Sequence, residues 1–258
     1  ADIVDDAFVE ADETVIVTLN NPTNGVLGSD IKTIVDTDGA FAAIKEDGSV
    51  VTWGNDNNGG DSSAVASSLS SGVSSIVGNG SAFAALKSDG SVVTWGYGSN
   101  SSDYSNQGGD SSTVASSLSS GVSSIVSNSS AFAALKSNGS VVTWGYGSNS
   151  SDYSNYGGDS SSVASSLSSG VSSIVSSNLA FAAIKTDGSV VTWGYADHGG
   201  DSSSVESSLS SGVSSIVSNN NAFAAIKSDG SVVTWGYADY GGDSSSVNLS
   251  SGVSSIVS

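Results

Sequence analysis

The chain has 258 residues, with six Lys, no Arg and 25 acidic side chains, for a net charge of −19. That surface repels phosphate backbones, which excludes nucleic-acid binding. The absence of Cys removes disulfides, thiol catalysis and thiolate metal sites together. No apolar run approaches the roughly 20 residues that a membrane-spanning helix needs. Ser and Gly are abundant, but Val, Ile, Phe and Trp interrupt them at fixed intervals. The composition therefore predicts an ordered repeat and not a linker.

In chain order, the first 29 residues are acidic and carry one strand-like run, Thr14 to Leu19. Asp5, Asp6, Glu10, Asp12 and Glu13 offer oxygen donors of the kind calcium takes, although a solvated acidic loop is the simpler reading. From about residue 30 a single unit recurs. Its Thr-Trp-Gly places Trp53, Trp95, Trp144, Trp193 and Trp235 at intervals of 42, 49, 49 and 42 residues. A period of this size marks one supersecondary unit copied into a propeller, a solenoid or an array.

Within the unit, Ala40 to Lys45 and Ser49 to Trp53 flank Asp47-Gly48, which predicts a hairpin. A two-residue type I′ turn would set Ile44 opposite Val51 and Ala42 opposite Trp53. Ile44, Val51, Ala42 and Trp53 would then share one face, and Phe41, Ala43 and Val50 the other. Both faces are apolar, so the hairpin must be covered on both sides. The turn recurs as Asp89-Gly90, Asn138-Gly139, Asp187-Gly188 and Asp229-Gly230. The Asp-to-Asn exchange keeps turn chemistry while dropping the charge, so a turn explains the position better than a metal ligand.

Upstream of each hairpin a Val-x-x-Ile-Val run predicts a third strand. Six copies exist for five hairpins: Ile31 to Val35 opens the series and Val253 to Val257 ends it. The surplus strand either closes a ring beside the first unit or pairs with the next subunit, head to tail. Asp61 to Leu69 spaces Val65 and Leu69 for one or two helical turns, with Asp61 as a cap and Gly72 as a stop. Gly-Gly-Asp recurs at Asp61, Asp110, Asp159, Asp201 and Asp243, and capping or turn use outweighs calcium there.

The units differ mainly in the loop after Trp-Gly, which places that loop on a rim. Its tyrosines Tyr97, Tyr104, Tyr146, Tyr153 and Tyr156 are the candidates for contact with a protein or glycan. His198 is the single His, and its position holds Asn58, Gln107, Tyr156 and Tyr240 in the other units, so a variable loop residue explains it. No Ser has an evident base, and no phosphate loop is present.

Ala82 to Lys87, Asp89-Gly90 and Val93 to Gly96, recurring five times, resemble the repeat of the regulator-of-chromosome-condensation family. The resemblance implies β-propeller blades, usually seven per ring and somewhat longer than these. Residues 5 to 25 are similar to the C-terminal part of a Calx-beta domain, an immunoglobulin-like sandwich, often calcium-binding, of large surface proteins. The sequence thus predicts an all-β chain. Residues 1–29 form a partial Calx-beta-like segment, and 30–258 form five blade-like repeats of three to four strands, closed as a five-bladed ring or open as an array. The function it suggests is a non-enzymatic extracellular or cell-surface module: structural or adhesive through self-association, or binding a protein or glycan through its rim loops.

Overall fold

A computed structural model of the chain describes residues 30–98, 106–147 and 155–257. The N-terminal segment with its Calx-beta resemblance lies outside them. Repeat 1 contains β1 (Ile31–Asp36), β2 (Ala40–Lys45) and β3 (Val50–Gly54). Repeat 2 contains β4 (Val73–Gly78), β5 (Ala82–Lys87) and β6 (Val92–Gly96). Repeat 3 contains β7 (Val122–Ser127), β8 (Ala131–Lys136) and β9 (Val141–Gly145). Repeat 4 contains β10 (Val171–Ser176), β11 (Ala180–Lys185) and β12 (Val190–Gly194). Repeat 5 contains β13 (Val213–Ser218), β14 (Ala222–Lys227) and β15 (Val232–Gly236). Each repeat is one antiparallel three-stranded sheet with its strands in sequence order. This is a five-bladed, propeller-like repeat fold.

The hairpin register differs from the sequence expectation by one residue. Phe41 lies opposite Trp53, Ala42 opposite Thr52, Ala43 opposite Val51 and Ile44 opposite Val50. The turn has three residues, Glu46-Asp47-Gly48. It is closed by Lys45 N–H to Ser49 O and Gly48 N–H to Lys45 O, both 2.9 Å, with Gly48 at φ 74°. This is the type I turn followed by a left-handed residue that serves three-residue hairpins. An Asp-Gly pair suits both turn lengths. With apolar residues on both faces, alternation could not choose between them. The correction joins Phe41 to Trp53 on one face and Val50 to Ile44 on the other.

Every unit therefore carries a stacked Phe–Trp pair, with ring centroids 5.1–5.3 Å apart. The opposite face is nearly flat, because it is built from alanines. The two faces fit each other between neighbours. Ala40, Ala42 and Ile44 of repeat 1 enclose Phe83, Ala85 and Trp95 of repeat 2, with Leu69 and Val73 filling the wedge between. The same packing recurs at the next three junctions.

Leu69, Leu118, Leu167 and Leu209 are buried at the ends of short helical turns, including 3-10 turns such as Ser63–Val65 and α-helical turns α1 (Ala115–Leu118) and α2 (Glu206–Leu209). The repeated lysine finishes these turns. Nζ of Lys87, Lys136, Lys185 and Lys227 donates to Ser68 O, Ser117 O, Ser166 O and Ser208 O at 2.6–2.8 Å. A cation at orphan carbonyls complements a helix end.

A backbone ladder links the turns between the first and second strands of successive repeats. Asp38 N–H donates to Gly80 O, Gly80 to Ser129 O, Ser129 to Asn178 O and Asn178 to Asn220 O, each at 3.1 Å. Beside it, the hydroxyls of Ser127, Ser176 and Ser218 donate to Gly78 O, Ser127 O and Ser176 O. Repeat 2 holds Gly78 in that place, because a Cβ there would lie 2.1 Å from Asp36 O.

Among the described residues no packed junction joins repeat 5 to repeat 1. Trp95, Trp144, Trp193 and Trp235 are buried, but Trp53 is 45% exposed and Phe41 44%. The expectation that the hairpin is covered on both sides fails in repeat 1, where no described residue packs over the Phe41–Trp53 face. The sixth Val-x-x-Ile-Val copy, Val253 to Val257, forms no strand.

One test compares two identical residues in different surroundings. Trp144→Ala should cost about 3–5 kcal/mol in urea unfolding. Trp53→Ala should cost roughly half as much or less, since much of that side chain already meets water. Equal losses would mean that repeat 1 is covered like the others.

Candidate interaction surface

The Gly-Gly-Asp segments make the rim. The first glycine of each pair has positive φ, as in Gly59 (96°) and Gly108 (104°), and lies beneath the aromatic pair of the following repeat. A Cβ on Gly59, Gly108, Gly157 or Gly199 would stand 2.4–2.6 Å from the ring of Phe83, Phe132, Phe181 or Phe223. The partner indole reaches the same glycine. Nε1–H of Trp95, Trp144, Trp193 and Trp235 donates to the carbonyls of Gly59, Gly108, Gly157 and Gly199 at 3.0–3.2 Å. A buried indole N–H requires such a partner. These acceptors were absent from the sequence reading, because a backbone carbonyl leaves no residue-type signal.

The aspartate that follows is a turn-capping residue. Oδ1 of Asp61, Asp110, Asp159, Asp201 and Asp243 accepts the amide N–H two residues on, each at 2.8 Å. That amide holds the carboxyls of Asp61, Asp201 and Asp243 below their ordinary value. In the hairpins, the Ser91, Ser189 and Ser231 hydroxyls, then their amides, do the same for Asp89, Asp187 and Asp229. Asn138 makes the same two bonds without a charge, to Ser140 N at 3.0 Å and Oγ at 2.7 Å. Among the described residues, no group of three or more His, Asp or Glu side chains is arranged to hold a metal ion. Asp5, Asp6, Glu10, Asp12 and Glu13 lie outside the described residues.

The residue before each Gly-Gly varies, and its backbone is tied down. Its carbonyl accepts from Thr37, Asn79, Asn128, Ser177 or Asn219 of the same repeat, which frees the side chain to differ. His198 uses that freedom for packing. Its Nδ1 lies 3.0 Å from Asn220 O, so the Nδ1–H tautomer bridges to the next repeat, as Asn58 Nδ2 does to Gly80 O at 3.2 Å.

In repeats 3 and 4 the rim becomes aromatic. Tyr146 stacks on Tyr156 at 4.6 Å, Tyr156 meets Tyr195 edge-on at 5.8 Å, and Tyr195 meets His198 at 5.4 Å. Tyr237 and Tyr240 form a separate exposed pair at 5.2 Å. Of the tyrosines expected to meet a partner, Tyr146 and Tyr156 come together. Tyr97 is exposed on repeat 2, away from these ring contacts. Tyr104 and Tyr153 lie outside the described residues. Sequence reasoning missed Tyr195, because a repeat-to-repeat contact has no sequence spacing to announce it.

This arrangement defines a propeller-type repeat scaffold with a variable, aromatic rim. The fold is similar to that of human WBSCR16, with a TM-score of 0.50 and 17% identity over 80% of this chain and 61% of that one. Prp20p of Saccharomyces cerevisiae, whose structure accompanies its binding properties to Gsp1p and histones, is similar at a TM-score of 0.46 and 16% identity, over 80% of this chain and 57% of its own. The chain thus spans about three fifths of the length of these proteins. At such identities the likeness shows the fold alone. No protein-family model and no curated protein sequence matches the chain.

Carboxyl NMR titration tests the caps. Asp89, Asp187 and Asp229 should titrate below the ordinary 3.8. A lowered folded value means the stabilisation is complete above the unfolded value and is lost as pH falls through the folded one. Midpoints at or above the ordinary value would show that the serine contacts do not persist in solution.

Proposed function

We propose that this chain is a non-enzymatic, protein-binding module whose regulator-of-chromosome-condensation-type repeats present a partner with the aromatic rim of repeats 3 and 4. The observation that carries this reading is the Tyr146–Tyr156–Tyr195–His198 run of ring contacts, which crosses a repeat junction. Gly, Asp and backbone groups hold the turns beneath it, and the rings of Tyr146, Tyr156 and Tyr195 keep part of their surface open to solvent. Tyrosines carry large contact area at low conformational cost and are enriched at binding hot spots. The net charge of −19 favours a partner with a basic surface and makes the encounter salt-dependent. A glycan is the second ligand class that such rings accept. The Calx-beta-like flank and the acidity support a place outside the cell or on its surface. We assign calcium no part in the interface, since the aspartates of the Gly-Gly-Asp turns are committed to amides.

Protein and peptide ligands selected by display against the native chain supply the test. The double change Tyr156→Ala and Tyr195→Ala should weaken their binding at least about tenfold, the loss of one hot spot, with an unchanged thermal midpoint. Ligands that bind the double variant and the native chain equally would place the interface elsewhere. Selection of carbohydrate ligands alone would move the reading to a glycan.

A further inference from the structure

The third strand of each repeat is an edge of its sheet, and in repeat 4 that edge forms the floor of a groove. β12 pairs with β11 alone. Lys185 N–H donates to Ser189 O at 2.8 Å, and Tyr195 N–H donates to Leu179 O at 3.0 Å. The bonded pairs between them are therefore Ala183–Val191 and Phe181–Trp193. The backbone groups of Val190, Thr192 and Gly194 point away from β11. The linker that follows crosses the face of β12 and not its edge: Thr192 Oγ1 donates to Gly200 O at 3.1 Å and lies 3.0 Å from Ser202 Oγ. The groove has a volume of about 470 Å³. Val163 and Ser166 of the preceding linker line one wall, and Asp201, Ser203 and Glu206 of the following linker line the other.

The same groove recurs in repeat 5, with a volume of about 430 Å³ and the equivalent residues of β15 and its two linkers. The edge also shows how it takes a neighbour. Val50, Val141 and Val232 N–H, the first outward amides of their strands, donate to Leu69, Leu167 and Leu249 O at 2.9–3.0 Å. The charge of the repeat 4 groove is set by Asp201 and Glu206, both exposed. The cation beside it, Lys185, is held on Ser166 O at 2.8 Å. Glu206 stands where the preceding linkers carry Ala66, Ala115 and Ala164, so this pair of acids is particular to repeat 4.

We propose that the repeat 4 groove binds an extended basic peptide, which adds to the edge of β12 as a fourth strand. Main-chain bonds to the outward groups of Thr192 supply affinity, as in other strand additions to a sheet edge. Lys or Arg side chains at alternate positions of the peptide share one face and reach Asp201 and Glu206. This site is separate from the tyrosine rings, and binding here does not depend on their role.

The probe is a fluorescent decapeptide of alternating Lys and Thr, titrated with the full chain and read by anisotropy. Saturable binding is expected, weaker at roughly 0.5 M NaCl, where all but close charges are screened. Thr192→Val and Thr192→Pro both lose the hydroxyl, but only proline removes the outward amide, and it spares the β11–β12 ladder. Thr192→Val should bind as the native chain does, and Thr192→Pro at least about tenfold more weakly, with native circular dichroism. Glu206→Ala, which restores the residue of the other linkers, should weaken binding about threefold. Should Thr192→Pro fail to fold, amide exchange in the native chain decides: saturating peptide should slow exchange at Thr192 at least about tenfold. Equal binding by the Pro and Val variants, or unchanged exchange at Thr192, would overturn the strand addition. Full binding by Glu206→Ala would overturn the acidic wall, and no saturable binding up to roughly 1 mM peptide would overturn the site.

Discussion

The structure depends on one contact: a phenylalanine ring laid against the bare Cα of a glycine in the repeat before it. That glycine must lack a side chain, because a Cβ would enter the ring. It must also turn its carbonyl toward the neighbouring indole, which its positive φ permits. Ring packing and hydrogen bond are thus set by the same residue, and neither can form without the adjacent repeat. The indole bond contributes about 0.5–1.5 kcal/mol net, and leaving the buried N–H unpaired would cost about 1–3 kcal/mol. The larger share comes from the apolar surface of Phe, Trp and the facing alanines. Stability in this fold therefore belongs to junctions and not to single sheets, as in other arrays of stacked repeats.

This design explains how a chain so rich in serine and so acidic can hold a core. The alanines of the second strands let neighbouring sheets approach closely, and the Phe–Trp pairs fill what remains. Serine does the polar work at the edges, bonding hairpin aspartates, the ends of helical turns and the preceding repeat. No buried side-chain nitrogen or oxygen lacks a partner among the described residues. The aspartates of the turns are held by amides and hydroxyls.

Much of the fold was legible in the sequence, and what was not has a physical reason. The period of Trp53 to Trp235, the Asp-Gly turns and the recurrent valines led directly to five three-stranded units. The helical turn between Asp61 and Leu69 was also readable from residue type, though Ser62 takes the cap position and Asp61 closes the turn before it onto Ser63 N–H. The register was not: Glu46 belongs equally well to strand or turn, and a one-residue slip exchanges two faces that are both apolar. The glycine carbonyls that receive the indoles were hidden because backbone acceptors have no letter. The tyrosine run was half visible, with Tyr146 and Tyr156 singled out by their variable loop. Their contact with Tyr195 depends on how two repeats stack. The surplus Val-x-x-Ile-Val run was evident from counting, but only the structure shows that Val253 to Val257 forms no strand.

The most direct test of the glycine-centred junction compares two equivalent glycines by urea unfolding. Gly108→Ala and Gly241→Ala place the same methyl group on nearly the same backbone, at φ 104° and 100°. The first sets it 2.4 Å from the Phe132 ring, and the second leaves it 3.7 Å from its nearest neighbour. Gly241→Ala should show only the backbone strain of about 1–3 kcal/mol. Gly108→Ala should add to that the disruption of a packed junction, a further loss of roughly 1–3 kcal/mol. Equal destabilisation of the two variants would contradict the account.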